Sequence, residues 1–343
     1  MLTVDIDSRS QSEIFKAMSR PDFYPHAVEK IEQTDTIISK VFLTGQYAYK
    51  IKKPVDLEYL DFTTLDSRKH YCEQELILNQ RLAPDVYLAV VPITFDNGQY
   101  QLAGSGTAIE YAVKMRQLSE RLSMRNLMRR GKLDRDSIDA LARKLAEFYQ
   151  QGASDKQINT FGSWQTIWTN CEENFRQAKP FVGEIIDERK FQIIRAATRA
   201  FLIRRHALFD RRVERQKIRD CHGDLRSGHI YFSDGIQIID CIEFNDRFRY
   251  ADVTSDLAFL AMDIDFEGHP ETARQLVDQY VDYTQDRELF VLLDFYKCYR
   301  ALVRAKVNCF RLQQNNDADH DTPGSIRKTR RYVDLAFRYA VQF

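Results

Sequence analysis

Residues 221–240 read CHGDLRSGHIYFSDGIQIID, and their order carries most of what the chain discloses. One acid, Asp224, follows His-Gly, and a second, Asp240, follows an apolar run. "HIYF" is β-rich, "SDG" is a turn in which Gly235 can supply a positive φ, and "IQII" is the returning strand. A hairpin of this length is expected to bring His229 and Asp240 side by side, with Asp224 on the loop feeding the first strand. Carboxylates converging at a strand end suit proton abstraction together with metal binding, as phosphoryl transfer requires.

The sequence on either side differs in kind. Upstream, Thr36–Leu43 and Tyr47–Lys52 flank a turn containing Gly45 and read as a hairpin. Ser67–Leu82 has helical periodicity and stops at Ala-Pro. "DVYLAVVPITF" and "GTAIEYAVKM" read as further strands. From Arg116 onward the pattern is mostly helical, interrupted by the quoted hairpin. A polar loop is expected near Asn315–Gly324, before a last helix. A β-rich part joined to a helical part implies a cleft between them, where ligands usually bind.

Composition sets outer limits. The chain has 343 residues, 44% apolar and 29% charged, with formal net charge zero. That is an ordinary globular balance, without the excess charge that draws nucleic acid or anionic membranes. No apolar run approaches a membrane span, and "MLTVDIDSRSQSE" lacks the pattern of a secretory signal, so a cytoplasmic location is expected. Cys72, Cys171, Cys221, Cys241, Cys298 and Cys309 form no C-x-x-C pair, which argues against structural zinc.

The quoted stretch resembles the catalytic core of the aminoglycoside phosphotransferase family, a branch of the protein-kinase-like fold. The family pattern is H-G-D-x-x-x-x-N, a hairpin, then an apolar strand ending in Asp. Here it is matched by "HGDLRSGH", "IQIID" and the later Asp256-Leu257-Ala258. Nearly the whole chain is similar to a bacterial subgroup in which this kinase-like part is fused to an ATP-binding domain. "VFLTGQYAYKIKKPV", "CEQELILNQRLAP" and "DCIEFNDRFRYADVTSDLAFLAMD" carry that likeness. No G-x-x-x-x-G-K-[ST] occurs, so the chain is expected to be the kinase-like half alone.

The resemblance implies an α+β, two-lobed fold: a small β-rich N-lobe over residues 1–112 with an N-terminal helical extension, and a large helical C-lobe over residues 113–343 with the hairpin embedded. It implies ATP and Mg2+ as cofactors, with Mn2+ as the alternative ion. Asp224 takes the place of the catalytic base and Asp240 that of the magnesium-binding carboxylate. Lys50 resembles the strand lysine on the α- and β-phosphates, with Lys52 as the other candidate. Glu75 is its ion-pair partner in preference to Glu73. Backbone groups of Glu110 and Ala112 would bind adenine, and the turn "LTGQ" would cover the phosphates.

Where the family has Asn this chain has His229, and imidazole replaces an amide oxygen poorly on magnesium. Three readings follow: His229 hydrogen-bonds Asp224, or it binds a softer ion, or metal binding is weakened and phosphate is not transferred. Glu243 offers a compensating metal carboxylate, or else a salt bridge to Arg247 or Arg249. Arg226, two residues past the base, would neutralise charge in the transition state. Lys297, Arg300 and Arg304 share a helix face with Tyr296 and Tyr299 nearby, which suits an anionic acceptor or is a solvated surface. The expected activity is transfer of the γ-phosphate to a hydroxyl of a small molecule other than an aminoglycoside. The alternatives are an inactive nucleotide-binding regulator and a kinase of a protein partner.

Overall fold

In "YAYKIK", residues 47–52, alternate side chains point to opposite faces of a strand, so Ala48, Lys50 and Lys52 share one face and Tyr49 and Ile51 the other. The computed structural model, which describes residues 8–57, 59–314 and 322–343, builds a sheet around this alternation. Two compact units divide the chain: residues 1–123 with 230–246, and residues 124–229 with 247–343. The expected break after residue 112 would cut a strand that runs Ala108–Arg116. The boundary therefore falls later, and the hairpin of the opening stretch belongs with the β-rich unit.

That first unit begins with α1 (Ser8–Met18), β1 (Glu32–Asp35), β2 (Ser39–Leu43), β3 (Tyr47–Lys52), β4 (Asp56–Leu57), β5 (Leu60–Asp61) and α2 (Leu65–Gln80). It continues through β6 (Tyr87–Asp96), β7 (Gln99–Leu102) and β8 (Ala108–Arg116). Six strands form an antiparallel sheet in the order β1-β2-β3-β8-β6-β7. Between β2 and β3 the turn passes through Gly45 at φ +89°, and the register sets Leu43 opposite Ala48. On one face Tyr49, Ile51, Phe42 and Ile93 pack with Ile14 and Met18 of α1. On the other, Ala48, Val113, Met115 and Tyr87 pack with Cys72 of α2.

The chain then enters the second unit: α3 (Met124–Arg129), α4 (Arg135–Gln151), α5 (Lys156–Thr160), α6 (Trp164–Ala178), α7 (Glu188–Arg204), α8 (His206–Glu214) and β9 (Ile218–Asp220). α7 and α8 are separated at Arg205, where φ is −110°. The hairpin β10 (Ile230–Phe232) and β11 (Ile236–Ile238) belongs to the first unit, with Ile230 opposite Ile238. Then follow α9 (Asp246–Arg249), β12 (Tyr250–Asp252), α10 (Val253–Phe266), α11 (Pro270–Thr284), α12 (Leu289–Gln314) and α13 (Thr322–Ala340). α10 is buried on almost every side, its Asp256 and Asp263 included, and packs on α11 and α12. The loop expected near Asn315–Gly324 gives way to α13 from Thr322, and residues 315–321 lie outside the described residues. No helix among the described residues is long and apolar enough to cross a membrane.

Candidate active site

In the first unit, β3 turns Lys50 and Lys52 toward α2, where one helix face carries Arg68, Cys72, Glu75 and Asn79. Glu75 is fully buried and pairs with both lysines: Lys50 Nζ lies 2.8 Å from its Oε1 and Lys52 Nζ 2.8 Å from its Oε2. Lys50 also reaches Asp240 Oδ1 at 2.7 Å, while Lys52 donates to Glu243. The signs thus alternate along Asp240, Lys50, Glu75, Lys52 and Glu243. Taking such charges out of water is costly, and only this close alternation offsets the cost. Burial alone would strip the Lys50 proton, but Asp240, Glu75 and Glu243 outweigh it and hold the ammonium well above its ordinary range. Burial likewise works to raise Glu75, and the two lysines overcome it and keep the carboxylate lowered.

The arrangement separates the two lysines. Lys52 is wholly enclosed between Glu75 and Glu243, whereas Lys50 keeps 13% of its side chain exposed beside an Asp240 that is 44% exposed. Glu73, the other candidate partner, lies on the surface near Lys69. Asp240 adopts the left-handed conformation at φ +66° and donates its backbone N–H to the Tyr87 hydroxyl at 3.1 Å. A non-glycine residue held there is strained, and such strain concentrates at functional positions.

Two expectations fail in this unit. Glu243 takes neither proposed role: its carboxylate is buried on Lys52, while Arg249 pairs with Asp220 and Arg247 with Glu173. The adenine contact expected at Glu110 and Ala112 conflicts with the sheet. Ala112 stands in an interior strand between Ile51 and Val91, and Glu110 stands opposite Ile93. The Glu110 side chain is buried on Arg68 at 2.9 Å and accepts from Gln11 at 2.9 Å. The free backbone comes later. Gln117 N–H donates to the Gln46 carbonyl, and beyond it neither the N–H nor the C=O of Leu118 has a partner among the described residues. Leu118 also packs with Ala48, Met115, Val41 and Ile239 in an apolar cluster.

In the second unit the stretch before the hairpin is anchored by two acids on α10, seven residues and so about two turns apart. Asp256 accepts from the backbone N–H groups of His222 and Gly223, both at 2.9 Å, and from the Tyr149 hydroxyl at 3.0 Å. Asp263 accepts from Ser227 N–H at 2.9 Å and from its hydroxyl. Gly223 sits at φ +87°, which a side chain would strain, so the glycine of His-Gly-Asp is required by the turn. Asp256 is legible in the sequence as the family's Asp-Leu-Ala; Asp263 is not marked by any motif.

Asp224 is held by Arg226 in a two-pronged pair, Nε to Oδ1 at 2.9 Å and Nη2 to Oδ2 at 2.8 Å. Burial works to raise the Asp224 carboxyl, but the guanidinium groups of Arg226 and, further off, Arg304 prevail and bring it down to about 2. His229 sits among these groups. Arg226 Nη2 lies 2.6 Å from His229 Nε2, and His229 Nδ1 lies 3.0 Å from the Asp224 carbonyl. A guanidinium can only donate, so Nε2 accepts and Nδ1 carries the proton that it gives to the carbonyl. Lys297 and Arg300 are neither a solvated face nor open to an acceptor. Lys297 lies 3.0 Å from Asp265, and Arg300 donates to Ser255 and to the Gly223 carbonyl. Among the ligand candidates, Asp240 lies in the first unit and Asp224, Arg226 and His229 in the second.

Residues 69–289 match the family described as "Phosphotransferase enzyme family". Uncharacterised proteins of Mycobacterium tuberculosis and Mycobacterium bovis are 32% identical over 285 residues, covering 83% of this chain and 56% of theirs. The chain thus spans little more than half the length of these curated relatives. The fold is similar to that of a choline/ethanolamine kinase family protein from Mesorhizobium loti, with TM-score 0.53, 12% identity and coverage of 97% of this chain and 99% of that one. It is also similar to aminoglycoside 2'-phosphotransferase-IIIa in its GDP complex, with TM-score 0.54, 15% identity and coverage of 96% and 98%. By the family match over most of its length, the chain belongs to the phosphotransferase enzyme family.

Proposed function

We propose that the protein transfers the γ-phosphate of ATP to a hydroxyl of a small molecule other than an aminoglycoside. The observation that carries this reading is Lys50, whose ammonium is set between Glu75 and a partly exposed Asp240. A lysine so fixed presents a charge to the α- and β-phosphates without having to be ordered when nucleotide arrives. Adenine would lie on the apolar surface of Val41, Ala48, Met115, Leu118 and Ile239, with the backbone of Leu118 reading its edge in place of Glu110 and Ala112.

Asp240 fits a hard divalent cation: it is an oxygen donor, partly exposed, and has one oxygen on Lys50. When bound, magnesium would neutralise phosphate charge. Asp224 would orient the acceptor hydroxyl and take its proton as the bond to phosphorus forms. A carboxyl near 2 is a weak base, which suits a loose transition state in which that proton leaves late. Arg226 would let go of one Asp224 oxygen to admit the hydroxyl and turn toward the transferring phosphate. His229, by holding the Asp224 carbonyl, would orient the loop instead of the cation.

The subgroup with a fused ATP-binding domain remains the preferred placement, supported by the greater length of the mycobacterial relatives. A second reading, a nucleotide-binding regulator, draws on the two-pronged Arg226 contact that occupies both Asp224 oxygens. The test is consumption of labelled ATP or GTP over a pool of metabolites, with magnesium and with manganese. Label transfer that disappears in Asp224→Ala supports the enzyme. Saturable nucleotide binding with no transfer under either metal supports the regulator.

A further inference from the structure

Around Asp224 the second unit gathers more positive charge than its acids balance. We propose, resting on the kinase reading above, that this surface binds an acceptor that is itself an anion: an alcohol already carrying a phosphate monoester. Arg304 is the central observation. It projects from α12, is 7% exposed, and its Nε has no hydrogen-bond partner among the described residues. Its guanidinium carbon lies 6.0 Å from the centre of the Tyr332 ring, and its charge helps lower Asp224. A buried guanidinium with an unused donor is costly unless an acceptor arrives.

Its neighbours are cations as well. Arg311 lies seven residues further along α12, on the same face by helical spacing, and is exposed. Lys328, also exposed, lies one turn before Tyr332 on α13, which packs against α12. Arg125 approaches the loop so closely that a Cβ on Gly228 would stand 3.0 Å from its guanidinium. Burial and the charges of Arg304, Arg125, Arg311 and Arg226 press Lys328 below its ordinary range. Burial together with Arg304 and Arg226 does the same to Arg311, and Asp224 only partly resists. Arg125 is partly satisfied, 3.7 Å from Asp263 and 3.1 Å from Glu267. Arg304 and Arg311 are left within reach of the Asp224 charge, with Lys328 beside them.

This pattern excludes a polycationic amino sugar by simple repulsion and favours a dianion, which several donors can hold at once. Arg304, Arg311 and Lys328 would bind the existing phosphate, leaving a hydroxyl of the same molecule to Asp224. In the transfer, the bond between the γ-phosphorus and the oxygen bridging it to the β-phosphate breaks and a new bond to the acceptor oxygen forms. The hydroxyl proton passes to Asp224 and then to water. The products are ADP and a doubly phosphorylated acceptor.

The experiment titrates the full chain with inorganic phosphate, glucose 6-phosphate, gluconate, glucose and kanamycin, following thermal stability and heat of binding. Phosphate and glucose 6-phosphate should stabilise saturably, gluconate less, and glucose and kanamycin not at all. The paired exposed variant Arg311→Ala with Lys328→Ala should lose about fivefold or more in phosphate affinity while keeping its ATP affinity. Arg304→Met should lose more, with circular dichroism confirming that it folds. Equal binding of glucose and glucose 6-phosphate, tighter binding of kanamycin, or unchanged phosphate affinity in the paired variant would each overturn the anion site. Phosphate binding that behaves as described, with no ATP turnover for any acceptor, would instead sink the kinase reading and leave the site in place.

Discussion

The two clusters of charge in this protein are built on opposite rules. In the first unit Asp240, Lys50, Glu75, Lys52 and Glu243 alternate in sign, and each buried charge has a partner. In the second, Arg226 is matched by Asp224, but Arg304 and Arg311 draw on that same acid, and the groups acting on Lys328 are cations. A balanced cluster is rigid and holds a group in place before its ligand comes. An unbalanced one is incomplete and gains stability when an anion fills it. On the proposed function, the first would position nucleotide phosphates and the second would select the acceptor.

The comparison can be broken most decisively at Asp224. Asp224→Ala should reduce transfer by about a thousandfold, within the range of a lost general base, and leave nucleotide affinity intact. Single-turnover rates alongside a binding titration check this, and a matching loss of binding would contradict it.

Next in size is the contrast between the two lysines. Lys52→Met leaves Glu243 buried without its partner and should cost about 3–5 kcal/mol of stability in a urea titration. Lys50→Met should cost much less in stability, because Asp240 is partly exposed to water, and should act mainly on nucleotide binding. If the two variants lose stability equally, the division of labour between them is wrong.

Asp256→Asn tests the anchoring of the loop. It weakens two backbone hydrogen bonds to a charged acceptor and should cost about 1–3 kcal/mol, with a fall in kcat and little change in KM for ATP. A variant with normal kcat would show that the loop does not need α10 to hold it.

The smallest effect expected is on pH. A carboxyl lowered to about 2 in the folded protein contributes stability that is present above its unfolded value near 4 and is lost as pH falls toward 2. Transfer should accordingly show no acid limb from Asp224 above about pH 4. In Arg226→Ala the burial that works against ionisation is no longer outweighed by its largest opponent, so the limb should move upward in a profile of kcat/KM. An unmoved limb would mean that Arg226 does not set the charge of Asp224.

How far the sequence reached depends on the range of the interactions. Glu75 as a lysine's partner came from the family resemblance, whereas the period-two alternation of "YAYKIK" is local and put Lys50 and Lys52 on one face in advance. The hairpin was legible for the same reason, with Gly235 supplying its positive φ. Glu243 was not legible, because its partner Lys52 lies 191 residues away and no local rule couples them. The adenine contact was misplaced onto Glu110 and Ala112 because strand pairing decides which peptide groups are used. That β8 lies inside the sheet follows from β3 and β6 closing on either side of it. Arg304 read as one of three cations on a helix face; the tertiary packing alone sets it beside Tyr332 with its Nε unpaired, while Lys297 and Arg300 are held by Asp265, Ser255 and the Gly223 carbonyl.

The central claim is that Lys50, fixed by Glu75 and Asp240, is a nucleotide-phosphate site. Its most direct test is calorimetric titration of ATP with magnesium into the wild type, Lys50→Met and Asp224→Ala. The account predicts saturable binding to the wild type, a loss of about tenfold or more in Lys50→Met, and near-unchanged affinity in Asp224→Ala. Absence of binding to the wild type, or equal affinity in Lys50→Met, would contradict it.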